Sequence, residues 1–241
     1  MPSRTKVVPV SLAAACIVAA CEAAPITETP RVGTLEYVSG DGQTGTVGLL
    51  LDLPLAVRLV DQFGSPVAGE TVAFEPSSSS AALGATTDPV LDVTGSDGVA
   101  SAQLRLGTGT GPYQVTATWP GLETGGISGL VQVIDFDATA GPAPAATLTI
   151  TAGNNQKAAA NTLLPIALSV RVADAFNNPI PGVAVTFVIG SGGGQLSVAE
   201  AVSSATGIAS SSWTLGPAVG AQSVTAFIPG VPPVTFTATA Q

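Results

Sequence analysis

The residues of this chain that could carry chemistry are its carboxylates, because the sequence has 16 aspartate and glutamate residues, two cysteines and no histidine. Without histidine the commonest general base is missing, and with it the serine-hydrolase triad and most zinc sites. The cysteines, Cys16 and Cys21, both lie near the N-terminus, which leaves none for thiol catalysis or iron–sulfur ligation farther along the chain. The sequence therefore predicts a non-enzymatic protein without a cofactor.

Two aspartates recur at matched positions. Asp61 and Asp174 each follow an alternating apolar segment and precede a turn that contains glycine or asparagine. Paired carboxylates can act as acid and base in glycoside hydrolysis. A short carboxylate at a strand end also accepts hydrogen bonds from the backbone N–H groups of the following turn. The turn context favours capping over catalysis, so we predict that both aspartates are structural.

Two further segments have the composition of binding loops. Asp88, Asp92 and Asp97 could supply oxygen ligands for calcium, but their spacing differs from an EF-hand loop and the second half of the chain has no counterpart. A solvated acidic loop is the favoured interpretation, and a calcium site is the alternative. The glycine-rich run 190–194 lacks the Lys-Ser/Thr of a phosphate-binding loop. We predict that this run and the serines at 77–80 are flexible loops.

These candidates lie in a sequence that repeats itself. At an offset of 113, Asp61, Phe63, Pro66, Gly69, Val72 and Phe74 are matched by Asp174, Phe176, Pro179, Gly182, Val185 and Phe187. At an offset of 109, Gly98, Leu106, Gly107 and Val115 are matched by Gly207, Leu215, Gly216 and Val224. The closing segments 136–140 and 236–240 also match. A unit of about 100 residues is therefore present in two tandem copies.

Each copy has the period-two pattern of half-buried β-strands. The inward positions are Leu53, Leu55, Val57 and Leu59 in the first copy and Ile166, Leu168, Val170 and Val172 in the second. Further strands are predicted over 70–74, 99–106, 113–119, 128–136, 183–188, 209–215, 223–228 and 234–240. Trp119 and Trp213 fall on the inward phase, and Phe227 falls on the outward phase. The pattern predicts an all-β protein made of two tandem antiparallel β-sandwich domains.

The turn and core residues of both copies resemble the group 1 bacterial Ig-like domain of invasin- and intimin-type adhesins. The resemblance rests on Gly-x-x-Gln near the start, on Asp-x-Phe-x-x-Pro-(Val/Ile)-x-Gly-x-x-Val-x-Phe, and on the closing Phe-x-Ala-Thr-Ala. It covers nearly all of the chain after the N-terminal segment and implies two tandem Ig-like sandwiches. Because the motifs are turn and core residues, they specify the fold and do not carry over a receptor.

The N-terminal segment is predicted to be a leader. Arg4 and Lys6 precede a mostly apolar stretch of signal-peptide length, which ends in Val-Ala-Ala-Cys at 18–21. This sequence resembles the bacterial lipoprotein signal, which implies cleavage before Cys21 and acylation of that residue. Acyl chains hold a protein on a membrane, at about 0.8 kcal/mol per buried methylene. Glu22 differs from the aspartate of the inner-membrane retention signal and favours an outer-membrane or surface address. Ordinary secretion, with Cys21 a free thiol, is the alternative.

The predicted organisation is a signal peptide over 1–20, a tether over 21–32, domain 1 over 33–140, a linker over 141–145 and domain 2 over 146–241. Domain 1 has 12 acidic and two basic residues, a net charge of −10, whereas domain 2 has two of each. No basic patch is present, so neither nucleic acid nor anionic lipid is an expected partner. A near-neutral domain resists association poorly. One hypothesis gives domain 2 a protein or glycan ligand and makes domain 1 a spacer; the alternative is a passive surface.

The function predicted from these observations is a bacterial cell-surface lipoprotein that acts as a spacer or adhesive module. Its membrane contact is the lipid on Cys21. The alternative is an envelope-structural subunit that associates with itself or with other surface proteins. At this stage the ligand, the side of the envelope on which the domains lie, calcium binding and the oligomeric state are open.

Overall fold

The computed structural model describes residues 32–77, 82–83, 90–121 and 131–241. All regular secondary structure in these residues is β-strand. No helix in this part of the chain has the length and apolar character needed to cross a bilayer. The prediction of an all-β protein is confirmed.

The described residues form twenty strands, numbered in chain order. In domain 1 they are β1 (Val32–Ser39), β2 (Gln43–Thr46), β3 (Leu55–Asp61), β4 (Thr71–Pro76), β5 (Ala82–Leu83), β6 (Val90–Val93), β7 (Val99–Ala102), β8 (Leu104–Arg105), β9 (Gly111–Trp119) and β10 (Gln132–Gly141). In domain 2 they are β11 (Thr147–Ala152), β12 (Gln156–Ala158), β13 (Leu168–Ala173), β14 (Ala184–Ser191), β15 (Gly194–Leu196), β16 (Glu200–Val202), β17 (Ile208–Ser211), β18 (Trp213–Leu215), β19 (Gly220–Phe227) and β20 (Val234–Ala240).

Each domain has a three-stranded sheet and a five-stranded sheet. The orders are β1-β3-β7 and β2-β10-β9-β4-β6 in domain 1, and β11-β13-β17 and β12-β20-β19-β14-β16 in domain 2. A short two-stranded sheet, β5-β8 or β15-β18, accompanies each pair. Because corresponding strands take the same order in both domains, the sequence repeat is a repeat of the whole fold. The predicted fold class, two tandem Ig-like β-sandwich domains, is confirmed.

One ladder in each domain runs parallel, where the sequence predicted antiparallel sheets throughout. Strand β2 pairs in parallel with β10, and β12 pairs in parallel with β20. The other pairings between the named strands are antiparallel. The reason is that the first segment of each domain changes sheets: β1 pairs with β3, and the chain then crosses to lie beside the last strand.

Glycine makes this crossing between sheets. Gly40 and Gly153 have φ angles of +101° and +86°, a region that L side chains rarely adopt. A Cβ at these two positions would meet the carbonyl oxygens of Pro54 and Ala167. The glycine of the Gly-x-x-Gln motif is therefore a requirement of close backbone packing.

The glutamine of the same motif clamps the chain just before β3 and β13. Gln43 donates from Nε2 to the carbonyl oxygens of Gly40 and Leu53, at 2.8 and 2.9 Å, and its Oε1 accepts the N–H of Leu53 at 3.0 Å. Gln156 makes the equivalent three bonds, two of them to Ile166. The prediction that Leu53 and Ile166 point inward is wrong: each is 53% exposed. The clamp holds their backbone outside the strand, so the alternating phase begins two residues later.

Other strand boundaries also differ from the prediction. The predicted strands over 99–106 and 209–215 are each divided in two, because β8 and β18 leave the three-stranded sheets to pair with β5 and β15. The last strand of domain 1 begins at Gln132 and continues to Gly141, five residues beyond the predicted end. The predicted start of that strand, 128–130, lies outside the described residues.

Each core is built around a pair of phenylalanines. In domain 1 the ring centroids of Phe74 and Phe136 are 6.5 Å apart, and in domain 2 those of Phe187 and Phe236 are 6.4 Å apart. All four side chains are buried, on β4, β10, β14 and β20 of the five-stranded sheets. Leucine, valine and alanine from the facing three-stranded sheets complete two separate clusters. The core of each domain thus lies between its two sheets.

The three aromatic side chains whose directions were predicted point as expected. Trp119 is buried and donates from Nε1 to Oε2 of Glu70 at 3.2 Å. Trp213 is fully buried, and its Nε1 has no hydrogen-bond partner among the described residues. Phe227 is 38% exposed on the outer side of β19. The predicted inward and outward phases are therefore confirmed at these positions.

Phe187→Ala should lower the free energy of unfolding of domain 2 by about 3–5 kcal/mol, because a fully buried ring leaves a cavity. The control Phe63→Ala should change stability by less than about 0.5 kcal/mol, since Phe63 is 67% exposed. Calorimetry or circular dichroism during thermal unfolding measures both. Equal effects of the two substitutions would contradict the assigned core.

Candidate contact surfaces and the joint between the domains

The lipid-attachment residue predicted from the sequence, Cys21, lies outside the described residues, together with the leader and the tether up to residue 31. Acylation of Cys21 therefore stays a prediction. The candidates that can be placed are the recurring aspartates, Asp92 and Asp97, the glycine run, the first residue of the serine run, and the outward aromatic residue.

Asp61 caps the turn that follows β3. The residue is 7% exposed, and its Oδ1 accepts the backbone N–H groups of Phe63 and Ser65, each at 2.8 Å. The backbone N–H of Gly64 donates to the carbonyl oxygen of Asp61 at 3.0 Å and closes the turn. The predicted capping role of Asp61 is confirmed.

Asp174 caps the equivalent turn and also binds the linker. Its Oδ1 accepts the backbone N–H groups of Phe176 and Asn178, at 2.9 and 2.8 Å. Its Oδ2 accepts the side-chain Nδ2 of Asn178 at 2.9 Å and the backbone N–H of Ala143 at 3.0 Å. The residue is 1% exposed. The capping prediction is confirmed, and the bond to Ala143 adds a contact with the 141–145 segment that the sequence did not reveal.

These bonds determine the ionisation of Asp174. Burial acts to raise the pKa of its carboxyl group, but hydrogen bonds from the Asn178 side chain and from the backbone of Asn178, Ala143 and Phe176 outweigh burial and hold the pKa below its ordinary value of 3.8. The ionised carboxylate, which accepts four donors, is the form that the folded protein stabilises. Asp174 is therefore an anionic clamp at neutral pH.

The turn that Asp174 caps also contacts domain 1, and we call these contacts the joint. Asn178 donates from Nδ2 to the carbonyl oxygen of Thr108, which follows β8, at 2.7 Å. The ring of Phe176 lies 3.3 Å from the place where a Cβ of Gly48 would stand. A side chain at position 48 would press against this ring. Glycine has no side chain, and the ring of Phe176 therefore fits beside it.

The joint uses positions at which the two copies differ. Counterparts in the other copy, at the offset of 113, are Asn161 for Gly48, Gly64 for Asn177 and Ser65 for Asn178. Arg171 braces the second turn by donating to Oδ1 and to the carbonyl oxygen of Asn177, at 2.6 and 2.8 Å. Arg58, its counterpart, donates to the carbonyl oxygen of Asp97 at 3.0 Å. The second turn is thus specialised for contact with domain 1.

The prediction that these aspartates share one loop is wrong at Asp92, which lies on β6, and both Asp92 and Asp97 bind backbone N–H groups. Oδ2 of Asp92 accepts from Ser101 at 2.7 Å, and Oδ1 of Asp97 accepts from Val99 at 3.1 Å. Asp88 lies outside the described residues, and no group of three or more potential metal-ligating side chains occurs within them. Both donors belong to β7, so the carboxylates of Asp92 and Asp97 hold that strand through its backbone.

The glycine run is more ordered than predicted. Ser191 ends β14 and Gly194 begins β15, which pairs with β18 over Gly194–Leu196. The prediction of a flexible loop is wrong at Gly190 and Ser191, which belong to β14, and at Gly194, because β19 and β18 supply partner strands that the local sequence does not show. Of the serine run, Ser77 donates from Oγ to the carbonyl oxygen of Gln114 at 3.0 Å, and residues 78–80 lie outside the described part.

The outer faces of the two five-stranded sheets differ in charge. We call the outward side chains of β12, β20, β19, β14 and β16 the domain 2 face, and those of β2, β10, β9, β4 and β6 the domain 1 face. The domain 1 face presents Glu75, Thr118, Asp135 and Asp137 where the domain 2 face presents Val188, Phe227, Thr235 and Thr237. Three carboxylates are thus replaced by uncharged side chains. Phe227, predicted to face outward, lies on the domain 2 face.

Comparisons with known proteins give similarities to solved structures. No protein-family model matches the chain, and no curated protein matches it. FdeC, an Escherichia coli adhesin, is 18% identical with a TM-score of 0.49, covering 87% of this chain and 66% of its own. Invasin, a bacterial integrin-binding protein, is 22% identical with a TM-score of 0.40, covering 87% and 40%. A β-glucuronidase of Parabacteroides merdae is 10% identical with a TM-score of 0.32, covering 89% and 25%. The chain spans less than two thirds of each of these three proteins.

Asp174→Asn should lower the free energy of unfolding by about 1.5–3 kcal/mol at pH 7, because an amide cannot accept all four donors of the carboxylate. The pKa of Asp174 is lowered in the folded state, so its stabilising effect is fully present above the ordinary value of 3.8 and is lost below it, as the pH falls through the lower pKa of the folded protein. Chemical denaturation from pH 7 to pH 3 measures this. Asp61→Asn, which removes a carboxylate with two N–H donors, is the control and should cost less.

Asn178→Ser, which introduces the domain 1 residue at the equivalent position, should loosen the joint while both cores stay folded. The serine side chain is too short to reach the carbonyl oxygen of Thr108. NMR relaxation measures whether the domains tumble together or separately, and protease cleavage within 141–145 provides a second measurement. Unchanged tumbling and cleavage would show that the joint does not depend on Asn178.

Proposed function

We propose that this protein is a non-enzymatic module of a bacterial cell surface, anchored through a lipid on Cys21, in which domain 1 is a spacer and domain 2 makes the contacts. The observation that carries the proposal is the joint, in which Asp174 and Asn178 bind the linker and domain 1 together. A spacer can fix the position of domain 2 only if domain 2 is held against it. The contacts of the joint hold the two domains together in this way.

The distribution of charge supports different roles for the two domains. Domain 1 has a net charge of −10 and domain 2 has a net charge of zero. Like charges on neighbouring copies repel, whereas a neutral surface permits close approach. Domain 1 is suited to keep its surroundings at a distance, and domain 2 is suited to bind a protein or a glycan.

The use of the acidic side chains supports a non-enzymatic function. Asp61, Asp92, Asp97 and Asp174 each accept at least one backbone N–H bond close to their own strand or turn. A general base must instead present its carboxylate to a substrate, with an open approach. These four carboxylates serve the fold.

A second candidate function is a structural subunit of the envelope. The observation that favours it is the domain 2 face, where Val188 and Phe227 are 47% and 38% exposed and where the carboxylates of the domain 1 face are missing. A sheet surface with few charges and with exposed apolar side chains is suited to packing against another protein. A structural subunit and an adhesive module would share the anchor and differ in the partner of domain 2.

Cys21→Ser tests the anchor, with Cys16→Ser as the matched control. If the leader is removed before Cys21, Cys16→Ser should leave incorporation of a fatty-acid label and membrane fractionation unchanged, and Cys21→Ser should abolish both. Mass spectrometry of the mature N-terminus reports the acyl chains directly. A labelled Cys21→Ser protein would overturn lipid attachment at this residue.

Protease treatment of intact cells, with detection of domain 2, tests the surface address.

A further inference from the structure

The domain 2 face carries exposed apolar side chains among hydroxyl groups. Val188, Val202 and Phe227 are 47%, 63% and 38% exposed. Thr225 lies on β19, the central strand, between Val188 on β14 and Thr235 on β20. No other part of the described chain buries these three apolar side chains, so they are exposed to solvent.

The charges of this face lie at its corners. In the sequences of its five strands, Lys157 and Glu200 are the charged residues. Lys157 is on edge strand β12, in the row of Ala221 of β19, and Glu200 is on the opposite edge strand β16, in the row of Phe227. Six residues along a strand span about 20 Å, and four strand spacings span about 19 Å. The opposite charges therefore occupy diagonally opposite corners.

We propose that the domain 2 face is a self-association surface, and that its occupant is the domain 2 face of a second copy of this chain. A two-fold axis along the other diagonal of the face would place Lys157 of one copy over Glu200 of the second copy, and the reverse, so that both pairs form at once. This makes the face self-complementary, as a two-fold interface requires. The strands of the two copies would cross nearly at right angles, which is one of the two preferred packings of β-sheets.

The side chains of the face favour a second copy over a sugar chain. Several of its hydroxyl groups are already bonded to neighbours: Thr225 to Thr235 at 3.4 Å, and Thr237 to Oδ1 of Asn155 at 2.6 Å. A glycan is recognised through polar groups that are free to bond its hydroxyls, within a cleft. A flat, mutually bonded surface with exposed valine and phenylalanine is suited instead to another surface of the same kind.

The domain 1 face differs from the domain 2 face in charge. It has the same strand order but carries Glu75, Asp135 and Asp137 across its centre, so two such faces would repel each other. This inference refines the proposed function and rests on it in one respect, the assignment of contacts to domain 2. It does not depend on the lipid.

Sedimentation equilibrium of residues 22–241, which carry neither cysteine nor lipid and include both domains, should give a concentration-dependent dimer. Val188→Glu, which introduces the domain 1 counterpart, should weaken the dimer at least about tenfold, because two carboxylates would be buried without partners. Phe227→Thr, also the domain 1 counterpart, should weaken it less. Both sites are exposed, so far-ultraviolet circular dichroism should show that the variants stay folded.

Charge reversal tests the proposed orientation. Lys157→Glu and Glu200→Lys should each weaken the dimer, by about threefold to tenfold at low salt, and the double reversal should restore it. Thr225→Cys, near the proposed axis, should give a disulfide-linked dimer on mild oxidation. Thr116→Cys, at the equivalent place on the domain 1 face, is the control and should not.

The outcomes separate this inference from the proposed function. A mature chain that stays monomeric up to millimolar concentration overturns the self-association surface, as does a dimer that Val188→Glu leaves intact. A dimer in which the double reversal fails to restore affinity overturns the two-fold arrangement. None of these results affects the tests of Cys21, whose failure would overturn the anchor and leave the surface standing.

Discussion

The carboxylate of Asp174 is the contact on which the connection between the two domains depends. A buried anion is costly unless its oxygens are satisfied, and the four donors to Asp174 come from its own turn, from the side chain of Asn178 and from the linker. Satisfying one carboxylate therefore fixes all three together. Asn178, once fixed, reaches the carbonyl oxygen of Thr108 in domain 1. Asp61 starts from the same motif, lacks an asparagine four residues later, and accepts from two N–H groups of its own turn.

Much of the fold could be predicted because its determinants are local and occur twice. The alternation of apolar and polar residues predicted that Trp119 and Trp213 lie in the cores. The recurrence of Asp61 and Asp174 before glycine- or asparagine-containing turns predicted that they cap those turns. The errors arose where a distant group overrides a local pattern. At Leu53 and Ile166 the alternation continues in the sequence, but a glutamine ten residues earlier holds the backbone outside the strand. The parallel pairing of β2 with β10 likewise depends on segments that lie far apart in the sequence.

The joint and the domain 2 face could not be predicted in the same way, because each depends on which side chains meet across strands or across domains. Two signals were nevertheless present in the comparison of the copies. Asparagine replaces glycine and serine at 177 and 178, and the carboxylates of the domain 1 face disappear from domain 2. Close packing constrains the core positions in both copies, whereas the outward positions were free to diverge. The differences between the copies, more than their similarities, indicate where contacts are made.

The parallel ladder between β2 and β10 has a mechanical consequence. In each domain an early strand lies beside the last strand and runs in the same direction, as Gln43–Thr46 does beside Ala138–Gly141. Tension between the two ends of a domain pulls these neighbours in opposite directions along their length. The hydrogen bonds of the ladder then share the load in shear, instead of breaking one after another as in a peeled hairpin. A domain built in this way resists stretching at the point where its ends are joined, and domain 2 repeats the same arrangement between β12 and β20.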